Sequence, residues 1–291
     1  MTNWGRLITA MVTPFDSRME VDYERAVQMA KKLVQEGTTA IVAAGTTGES
    51  PTLSEEEKIQ LFSALKENIN VPIIAGVGTN STAATIKNSQ KALACGVDGL
   101  LVVVPYYNKP NQESLYAHFE AIAKAVDAPI MLYNVPGRTG INMLPETVGK
   151  LSKIENIVAL KEASGNIGQL SEMIQVTAKD FLTYTGDDVL TLPSLSVGAY
   201  GVVSVAAQVV GLQMKEMIEA YLEGKVCRAS EIHLQLLNVF NNLFVTANPI
   251  PVKAALNMMG IDVGKPRLPL TPAQPAIETV IQHTLKELNL V

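Results

Sequence analysis

The chain has 291 residues with 23 Lys and Arg against 28 Asp and Glu, which gives a formal net charge of −5 at pH 7. The acidic balance and the lack of basic clusters argue against nucleic acid and anionic membranes as partners. Its two cysteines, Cys95 and Cys227, are too few for a disulfide framework and indicate a reducing compartment. No stretch approaches the roughly 20 apolar residues that cross a bilayer, and Met1–Val12 lacks the features of a targeting segment, so the sequence predicts a cytoplasmic protein.

Eight short apolar runs recur along the first two-thirds of the chain. Each is nearly continuous rather than alternating, which is typical of parallel strands that are covered on both faces. The predicted strands are Leu7–Val12, Ala40–Ala44, Pro72–Val77, Gly99–Val104, Pro129–Tyr133, Ile157–Lys161, Phe181–Thr185 and Gly201–Val205.

Amphipathic stretches of helical length separate these runs. Tyr23–Glu36 places its apolar residues on one stripe, as a helix over a sheet requires. Ser54 and Glu57 have the spacing of a capping box at a helix start. Gly37 and Gly96 follow helical stretches, where a left-handed residue is favoured.

Eight alternating strand–helix units predict an α/β protein with a parallel sheet, and eight is the number that closes into a (β/α)₈ TIM barrel. The alternative is an open doubly wound sheet. We place the barrel at residues 1–224 and a C-terminal helical extension at residues 225–291. The three helices predicted for this extension are Val226–Val245, Pro251–Met259 and Pro272–Leu288.

Polar residues directly follow most of the predicted strands. In a barrel of this kind the site is built at the carboxyl ends of the strands, so these residues meet at one rim. Hydroxyls, phenols, one lysine and one arginine therefore predict an active-site mouth. The segments concerned are Gly45–Glu49, Gly78–Asn80, Pro105–Asn108, Asn134–Arg138, Lys161–Glu162, Gly186–Asp188 and Ser204.

Lys161 is the most informative of these residues, because it ends an apolar strand and would point into the barrel. A buried lysine is pushed toward its neutral form, which is a nucleophile that condenses with a ketone or aldehyde to a Schiff base. The alternative is a structural ion pair with Glu162 or Asp187. Tyr133 ends the preceding strand and could transfer protons beside Lys161; the alternative is a packed tyrosine with a satisfied hydroxyl.

Three further residues fit the same chemistry. Thr46 and Tyr107 could extend a hydroxyl relay, and Arg138, in a Pro-Gly loop, suits bidentate capture of a carboxylate. The alternatives are turn residues and a solvated loop charge. Asp187 and Asp188 would repel a phosphate at the loop where barrels often bind one, so the sequence favours a small unphosphorylated oxo acid.

Cofactor and metal sites are not indicated. Gly76-Val77-Gly78 lacks the third glycine of a dinucleotide fingerprint. The three histidines, at positions 118, 233 and 283, lie on predicted helices and have no partner at metal-ligand spacing. We therefore expect neither a metal nor an organic cofactor.

Five motifs stand at these strand ends and in the C-terminal helices: Gly45-Thr46-Thr47-Gly48-Glu49-Ser50, Pro105-Tyr106-Tyr107-Asn108, Tyr133-Asn134-Val135-Pro136-Gly137-Arg138-Thr139-Gly140, Lys161-Glu162-Ala163 and Asn248-Pro249-Ile250-Pro251-Val252-Lys253. Together they resemble the dihydrodipicolinate synthase family, also called 4-hydroxy-tetrahydrodipicolinate synthases, within the pyruvate-dependent class I aldolases typified by N-acetylneuraminate lyase. The resemblance covers nearly the whole chain. It implies condensation of pyruvate with L-aspartate-4-semialdehyde to 4-hydroxy-tetrahydrodipicolinate, in diaminopimelate and lysine biosynthesis, without a cofactor.

The resemblance also implies catalytic roles. Lys161 forms the Schiff base with pyruvate, and Tyr133 acts as general acid and base. Thr46 and Tyr107 complete the proton relay. In the family the counterpart of Tyr107 reaches into the neighbouring subunit's site, which implies a dimer as the minimal active unit and a homotetramer, a dimer of dimers, as the expected state.

Four residues are implied to bind the substrates. Thr47 holds the pyruvate carboxylate, and Val203 supplies a backbone contact to pyruvate. Gly186 belongs to the same substrate-binding set. Arg138 receives the carboxylate of aspartate semialdehyde.

One departure concerns feedback inhibition. Lysine-inhibited members of the family carry histidines and a glutamate where this chain has Glu55, Lys58 and Ala84, so we expect weak or absent inhibition by L-lysine. Two other functions remain as alternatives. One is a class I pyruvate aldolase for a sugar-derived acid, and the other is a catalytically silent barrel that binds an oxo acid.

Overall fold

Eight strands form the inner layer of the protein in the computed structural model, which describes residues 4–291. The strands are β1 (Leu7–Ala10), β2 (Ala40–Ala43), β3 (Ile73–Gly76), β4 (Gly99–Val103), β5 (Ile130–Asn134), β6 (Ile157–Glu162), β7 (Leu182–Thr185) and β8 (Gly201–Ser204).

Twelve α-helices of the described residues surround and extend this layer. They are α1 (Tyr23–Gln35), α2 (Glu55–Asn68), α3 (Thr82–Ala94), α4 (Gln112–Ala125), α5 (Pro136–Thr139), α6 (Pro145–Leu151), α7 (Ile167–Val176), α8 (Thr191–Ser196), α9 (Ala207–Leu222), α10 (Val226–Asn242), α11 (Ile250–Met258) and α12 (Pro275–Glu287). Short 3₁₀ helices cover Ser50–Thr52 and Asp188–Leu190.

The strands close into a barrel in chain order, and β8 pairs in parallel with β1. The predicted (β/α)₈ barrel is confirmed, and the open doubly wound sheet is wrong. Every predicted apolar run overlaps an observed strand, although β5 and β6 each continue one residue further, to Asn134 and Glu162. Closure places all eight carboxyl ends at one rim, which is where the polar segments were expected to meet.

Local sequence signals explain several helix ends. Ser54 and Glu57 form the predicted capping box at α2, with reciprocal hydrogen bonds of 3.1 and 2.8 Å. Gly37 and Gly96 follow α1 and α3 with φ of +98° and +80°, a conformation that glycine adopts without steric penalty.

The three predicted C-terminal helices are present as α10, α11 and α12. α12 packs against α10 and α11, and both α10 and α11 pack against α9. Leu236, Phe240 and Val252 belong to the same buried cluster as the strand residues, so the extension and the barrel share one hydrophobic core. The domain boundary after residue 224 stays a prediction.

The amino-terminal segment lies partly outside the described structure. Residues 1–3 of the range Met1–Val12 are outside it, and Leu7 begins β1. Across residues 4–291, no helix combines the length and apolar character needed to cross a membrane.

Candidate active site

Lys161 lies at the end of β6 with its side chain in the barrel mouth. Its register neighbours are Tyr133 on β5 and Tyr184 on β7. The residue is only 5% exposed, and its Nζ lies 4.5 Å from the centroid of the Tyr133 ring. The side chain therefore places an amine beside a phenol in a largely water-excluded position, as the sequence predicted.

The alternative of a structural ion pair for Lys161 is not what the structure shows. Glu162 belongs to a separate network, where it accepts hydrogen bonds from Asn134 Nδ2 at 2.9 Å and from the Ser164 amide at 2.8 Å. Burial raises the pKa of the Glu162 carboxyl. Within residues 4–291, Lys161 makes no ion pair with Glu162 or Asp187, so its amine remains available to a substrate.

Gly186 makes room for the lysine. A methyl group at this position would lie 2.6 Å from Cε of Lys161 and 2.9 Å from Cβ of Ala163, well inside normal contact distance. The Gly186 amide donates to the Glu162 carbonyl at 2.6 Å, which fixes the glycine against β6. Only a residue without a side chain leaves the present path of Lys161 clear.

Most of the predicted site residues share one cavity of about 700 Å³ at the carboxyl ends of the strands. No hydrogen bond joins the hydroxyls of Thr46 and Tyr133 among the described residues, so the proton relay stays a prediction. The predicted residues that line the cavity are Thr46, Thr47, Tyr133, Arg138, Lys161 and Gly186.

Two predicted residues do not line this cavity. Tyr107 is 88% exposed and has a φ of +76°, a left-handed conformation that side-chain-bearing residues rarely adopt. Val203 is fully buried in β8, where it pairs with Ile8 of β1. Within one chain, therefore, the side chains of Tyr107 and Val203 do not join the six predicted residues that line the cavity.

The expectation of two carboxylates facing the mouth is wrong for Asp188. This residue is buried beneath the start of α9, where it accepts from the Ser204 hydroxyl at 2.5 Å and from the amides of Val205 and Ala206 at 3.1 and 2.9 Å. Burial raises the pKa of Asp188 to about 6. Asp187 alone lines the cavity, and burial raises its pKa as well.

A second cavity, of about 280 Å³, adjoins the first and shares Thr46, Tyr133 and Arg138 with it. Its far wall includes Lys58 and Tyr106. Burial lowers the pKa of the Lys58 ammonium. Two basic side chains, Lys58 and Arg138, therefore line this smaller space.

The C-terminal extension contributes to the mouth in a way that the sequence did not reveal. The larger cavity is lined by Phe240 on α10 and by Phe244, Ala247 and Asn248 between α10 and α11. Asn248 is 5% exposed, and its Nδ2 donates to Thr47 Oγ1 at 2.9 Å. The motif beginning at Asn248 was the available signal, but it carried no information on which barrel loop it would contact.

The part of the chain that the structure describes contains no group of three or more side chains arranged to hold a metal ion. Two of the histidines have polar side-chain partners. His118 is buried, and its Nδ1 lies 2.9 Å from Thr82 Oγ1. His283 pairs with Glu287 on the surface of α12.

Comparison with known proteins gives one consistent result. The Dihydrodipicolinate synthetase family matches residues 3–288. A 4-hydroxy-tetrahydrodipicolinate synthase from Cyanothece sp. is 55% identical over the full length of both chains, and one from Heliobacterium modesticaldum is 56% identical over 99% of this chain and 96% of its own. The solved dihydrodipicolinate synthase from Bacillus anthracis superposes with a TM-score of 0.97, at 47% identity over 98% of this chain and 99% of its own. The synthase from Cyanidioschyzon merolae, solved with lysine bound, gives 0.97 at 48% identity over 99% of both chains.

Proposed function

The chain belongs to the dihydrodipicolinate synthetase family, and on that basis we propose that it condenses pyruvate with L-aspartate-4-semialdehyde to 4-hydroxy-tetrahydrodipicolinate. This reaction makes it a lyase of diaminopimelate and lysine biosynthesis. The observation that carries the assignment is the buried amine of Lys161 beside the Tyr133 ring in the barrel mouth.

Lys161 supplies covalent catalysis. Its amine attacks the keto carbon of pyruvate, and loss of water gives a protonated imine. The imine withdraws electrons from the adjacent methyl group, which loses a proton to form an enamine. The enamine carbon attacks the aldehyde of the second substrate, and the amino group of that substrate closes the ring and displaces the lysine.

Tyr133 moves the protons that these steps require. Its phenol is adjacent to Lys161 in the β5–β6 register, within reach of the carbinolamine oxygen and the imine nitrogen. Thr46 lines the same cavity and continues the relay toward Tyr107. A positioned acid and base of this kind contributes about 10²- to 10⁴-fold to a rate.

The remaining lining residues bind the two substrates. Thr47 donates its hydroxyl to the pyruvate carboxylate, and Gly186 and the Val203 backbone contact the same substrate. Arg138 is exposed at the outer part of the cavity on α5, where its planar guanidinium can pair with the carboxylate of aspartate semialdehyde.

Tyr107 acts across a subunit interface in this proposal, and the assembly is a homotetramer built from two dimers. Its 88% exposed aromatic ring and left-handed backbone are features of a residue that surrounding structure must hold in place, and a second copy of the chain would provide that structure. Mixing Lys161→Ala with Tyr107→Ala protein tests this arrangement. A shared site predicts recovered activity, because each hybrid dimer contains one complete site.

We also propose that L-lysine inhibits the enzyme weakly or not at all. Lys58 and Arg138 give the smaller cavity a positive character that opposes a cationic amino acid. Steady-state rates at increasing lysine concentration provide the test, and half-inhibition at micromolar lysine would contradict it. A cytoplasmic location is proposed as well, supported by the free thiols of Cys95 and Cys227.

Trapping the Schiff base tests the central assignment. The protein is incubated with pyruvate and borohydride, weighed by mass spectrometry and digested for peptide mapping. We expect one reduced pyruvate adduct per chain on Lys161 and none in Lys161→Ala protein. An unchanged mass of the wild-type protein would instead support the alternative of a catalytically silent barrel that binds an oxo acid. Faster turnover of a sugar-derived acid than of aspartate semialdehyde would indicate a different pyruvate aldolase.

A further inference from the structure

The loop 45–49, which carries Thr46 and Thr47, is held by contacts from the segment 248–253, which includes the start of α11. Asn248 Nδ2 donates to Thr47 Oγ1 at 2.9 Å. Five residues later, Lys253 Nζ forms an ion pair with Glu49 Oε1 at 2.7 Å. Two contacts from one short segment therefore meet one short loop, across about 200 residues of sequence.

The Glu49–Lys253 pair is completely withdrawn from water, since both side chains are 1% exposed. The second oxygen of Glu49 accepts from the Arg267 amide at 2.8 Å. Lys253 Nζ lies 4.1 Å from the centroid of the Phe15 ring and 3.3 Å from the Lys265 carbonyl. Burial lowers the pKa of Lys253 to about 8, although the Glu49 carboxylate opposes the shift.

A buried ion pair is weak evidence for a gain in stability, because apolar residues of the same volume often fold equally well or better. Its geometry, however, is well defined. Glu49 is held on both oxygens, and its backbone has a φ of +56°, which is rare for a residue with a side chain. The Glu49 amide also closes a turn onto the Thr46 carbonyl at 3.1 Å. Fixing Glu49 therefore fixes the turn that presents Thr46.

Asn248 acts on the hydroxyl of Thr47. A threonine hydroxyl has one proton to donate and two lone pairs that accept. Because the Asn248 amide already donates to this oxygen, the Thr47 proton has to point elsewhere. Both residues line the larger cavity, and a carboxylate there needs hydrogen-bond donors. The amide therefore selects the donor orientation of Thr47.

We propose that Lys253 and Asn248 are positioning residues that hold the loop 45–49 in the geometry that binds the oxo-acid carboxylate. This inference rests on the proposed function, in which Thr47 binds pyruvate. It makes the C-terminal extension part of the substrate site, because the segment 248–253 sets the loop without forming a bond to the reacting atoms.

The double variant Glu49→Gln/Lys253→Met tests the pair without leaving a buried charge unpaired. The amide oxygen of the introduced glutamine can still accept from the Arg267 backbone, and methionine approximates the volume of the lysine chain. We expect a folded protein whose KM for pyruvate rises about tenfold, the size of effect expected when one hydrogen bond to a charged group is lost. The KM for aspartate semialdehyde should stay within about twofold, since Arg138 is on a different loop.

The chain contains a second carboxylate–lysine pair that serves as a control. Oδ2 of Asp98 accepts from Lys66 Nζ at 2.7 Å and from the Ile73 amide at 2.8 Å, in a more exposed position at the opposite end of the barrel, where β3 begins. The double variant Asp98→Asn/Lys66→Met should leave both KM values unchanged. Thermal unfolding of both double variants separates effects on the site from effects on the fold.

Asn248→Leu provides an independent measurement, because it removes the donor to Thr47 and leaves the ion pair intact. It should also raise the KM for pyruvate selectively. If the Glu49→Gln/Lys253→Met protein does not fold, the KM values of Asn248→Leu test the positioning role instead. A KM for pyruvate within about twofold of wild type in the folded variants, or an equal rise in both KM values, would overturn the inference. Wild-type protein serves as the reference in the borohydride reaction. If the wild-type protein forms no adduct, the proposed function fails. If the wild-type protein forms the adduct but the variants keep their KM for pyruvate, only the positioning role fails.

Discussion

Replacing Gly186 by alanine tests how closely the site is built around Lys161. The added methyl carbon would lie 2.6 Å from Cε and 3.1 Å from Cγ of Lys161, and 2.9 Å from Cβ of Ala163. Carbon atoms in a packed interior rest about 3.5–4.0 Å apart. The lysine chain must therefore move by about 1 Å. Gly186 is not among the residues with positive φ, so the substitution is a steric change without backbone strain.

The displacement acts on the proposed nucleophile itself. A misplacement of about 1 Å can lower a rate by roughly 100-fold when reacting groups must meet in a fixed geometry. We expect kcat/KM of Gly186→Ala to fall by about 10² in a steady-state assay. The rate of adduct formation with pyruvate and borohydride should fall in parallel, because imine formation precedes all later steps. Circular dichroism should show an unchanged fold.

Gly137→Ala is the matched control. It lies on α5 beside the same cavity, and a methyl group there meets no atom within 4 Å. Its activity should remain within about threefold of wild type. Equal activity of the Gly186→Ala and Gly137→Ala proteins would refute the reasoning, since it would show that the Lys161 chain has other productive paths through the mouth.

Three further results are expected. Tyr133→Phe should lower kcat by about 10²- to 10⁴-fold, measured at saturating substrates, and a decrease of only a few-fold would remove its phenol from the mechanism. Arg138→Ala should raise the KM for aspartate semialdehyde while pyruvate trapping proceeds normally; selective loss of pyruvate binding would contradict its role. Burial lowers the pKa of His118 to about 4, so the folded state binds fewer protons than the unfolded chain between about pH 4 and 6.5, and stability is lost as the pH falls through that window. Between pH 7 and pH 5 the unfolding free energy of the His118→Gln protein should therefore decrease by about 2 kcal/mol less than that of the wild type, measured by urea denaturation. An identical pH dependence in both proteins would be inconsistent with a buried neutral imidazole.

The barrel was predictable because its signal is local and repeated. Each strand is buried on both faces, so it appears as an unbroken apolar run, and eight such runs alternate with helical stretches. The ends of β5 and β6 were placed one residue short, because Asn134 and Glu162 are polar although the structure buries them completely or nearly so. Their hydrogen bonds to each other and to neighbouring loops replace water.

The position of the larger cavity was also predictable, since closure of a parallel barrel brings all carboxyl strand ends together. Whether a given loop side chain would point into the cavity or away from it was not predictable. Asp187 and Asp188 are adjacent in sequence, yet only the first faces the cavity, while the second satisfies two amides at the start of α9. A loop has no fixed side-chain period, so sequence alone could not separate them.

Sequence patterns did not predict the contacts between segments that are distant in the chain. Glu49 and Lys253 are separated by about 200 residues, and the two motifs that contain them do not indicate that they pair with each other. Tyr107 presents a related difficulty, because its ring is almost fully exposed in one chain. Its expected role depends on a neighbouring subunit, and no feature of a single sequence describes that neighbour.

Lys161 and Glu162 show how one strand end can hold both the proposed nucleophile and a residue that supports the surrounding loops. Successive side chains of a strand point to opposite faces, so the amine enters the mouth while the carboxylate turns toward the loops behind it. Glu162 is saturated there by Asn134, Ser164 and Gln169, which prevents it from neutralising its neighbour. The amine of Lys161 is therefore separated from the carboxylate beside it in sequence by the strand geometry, and the hydrogen bonds of Glu162 serve the loops around the mouth.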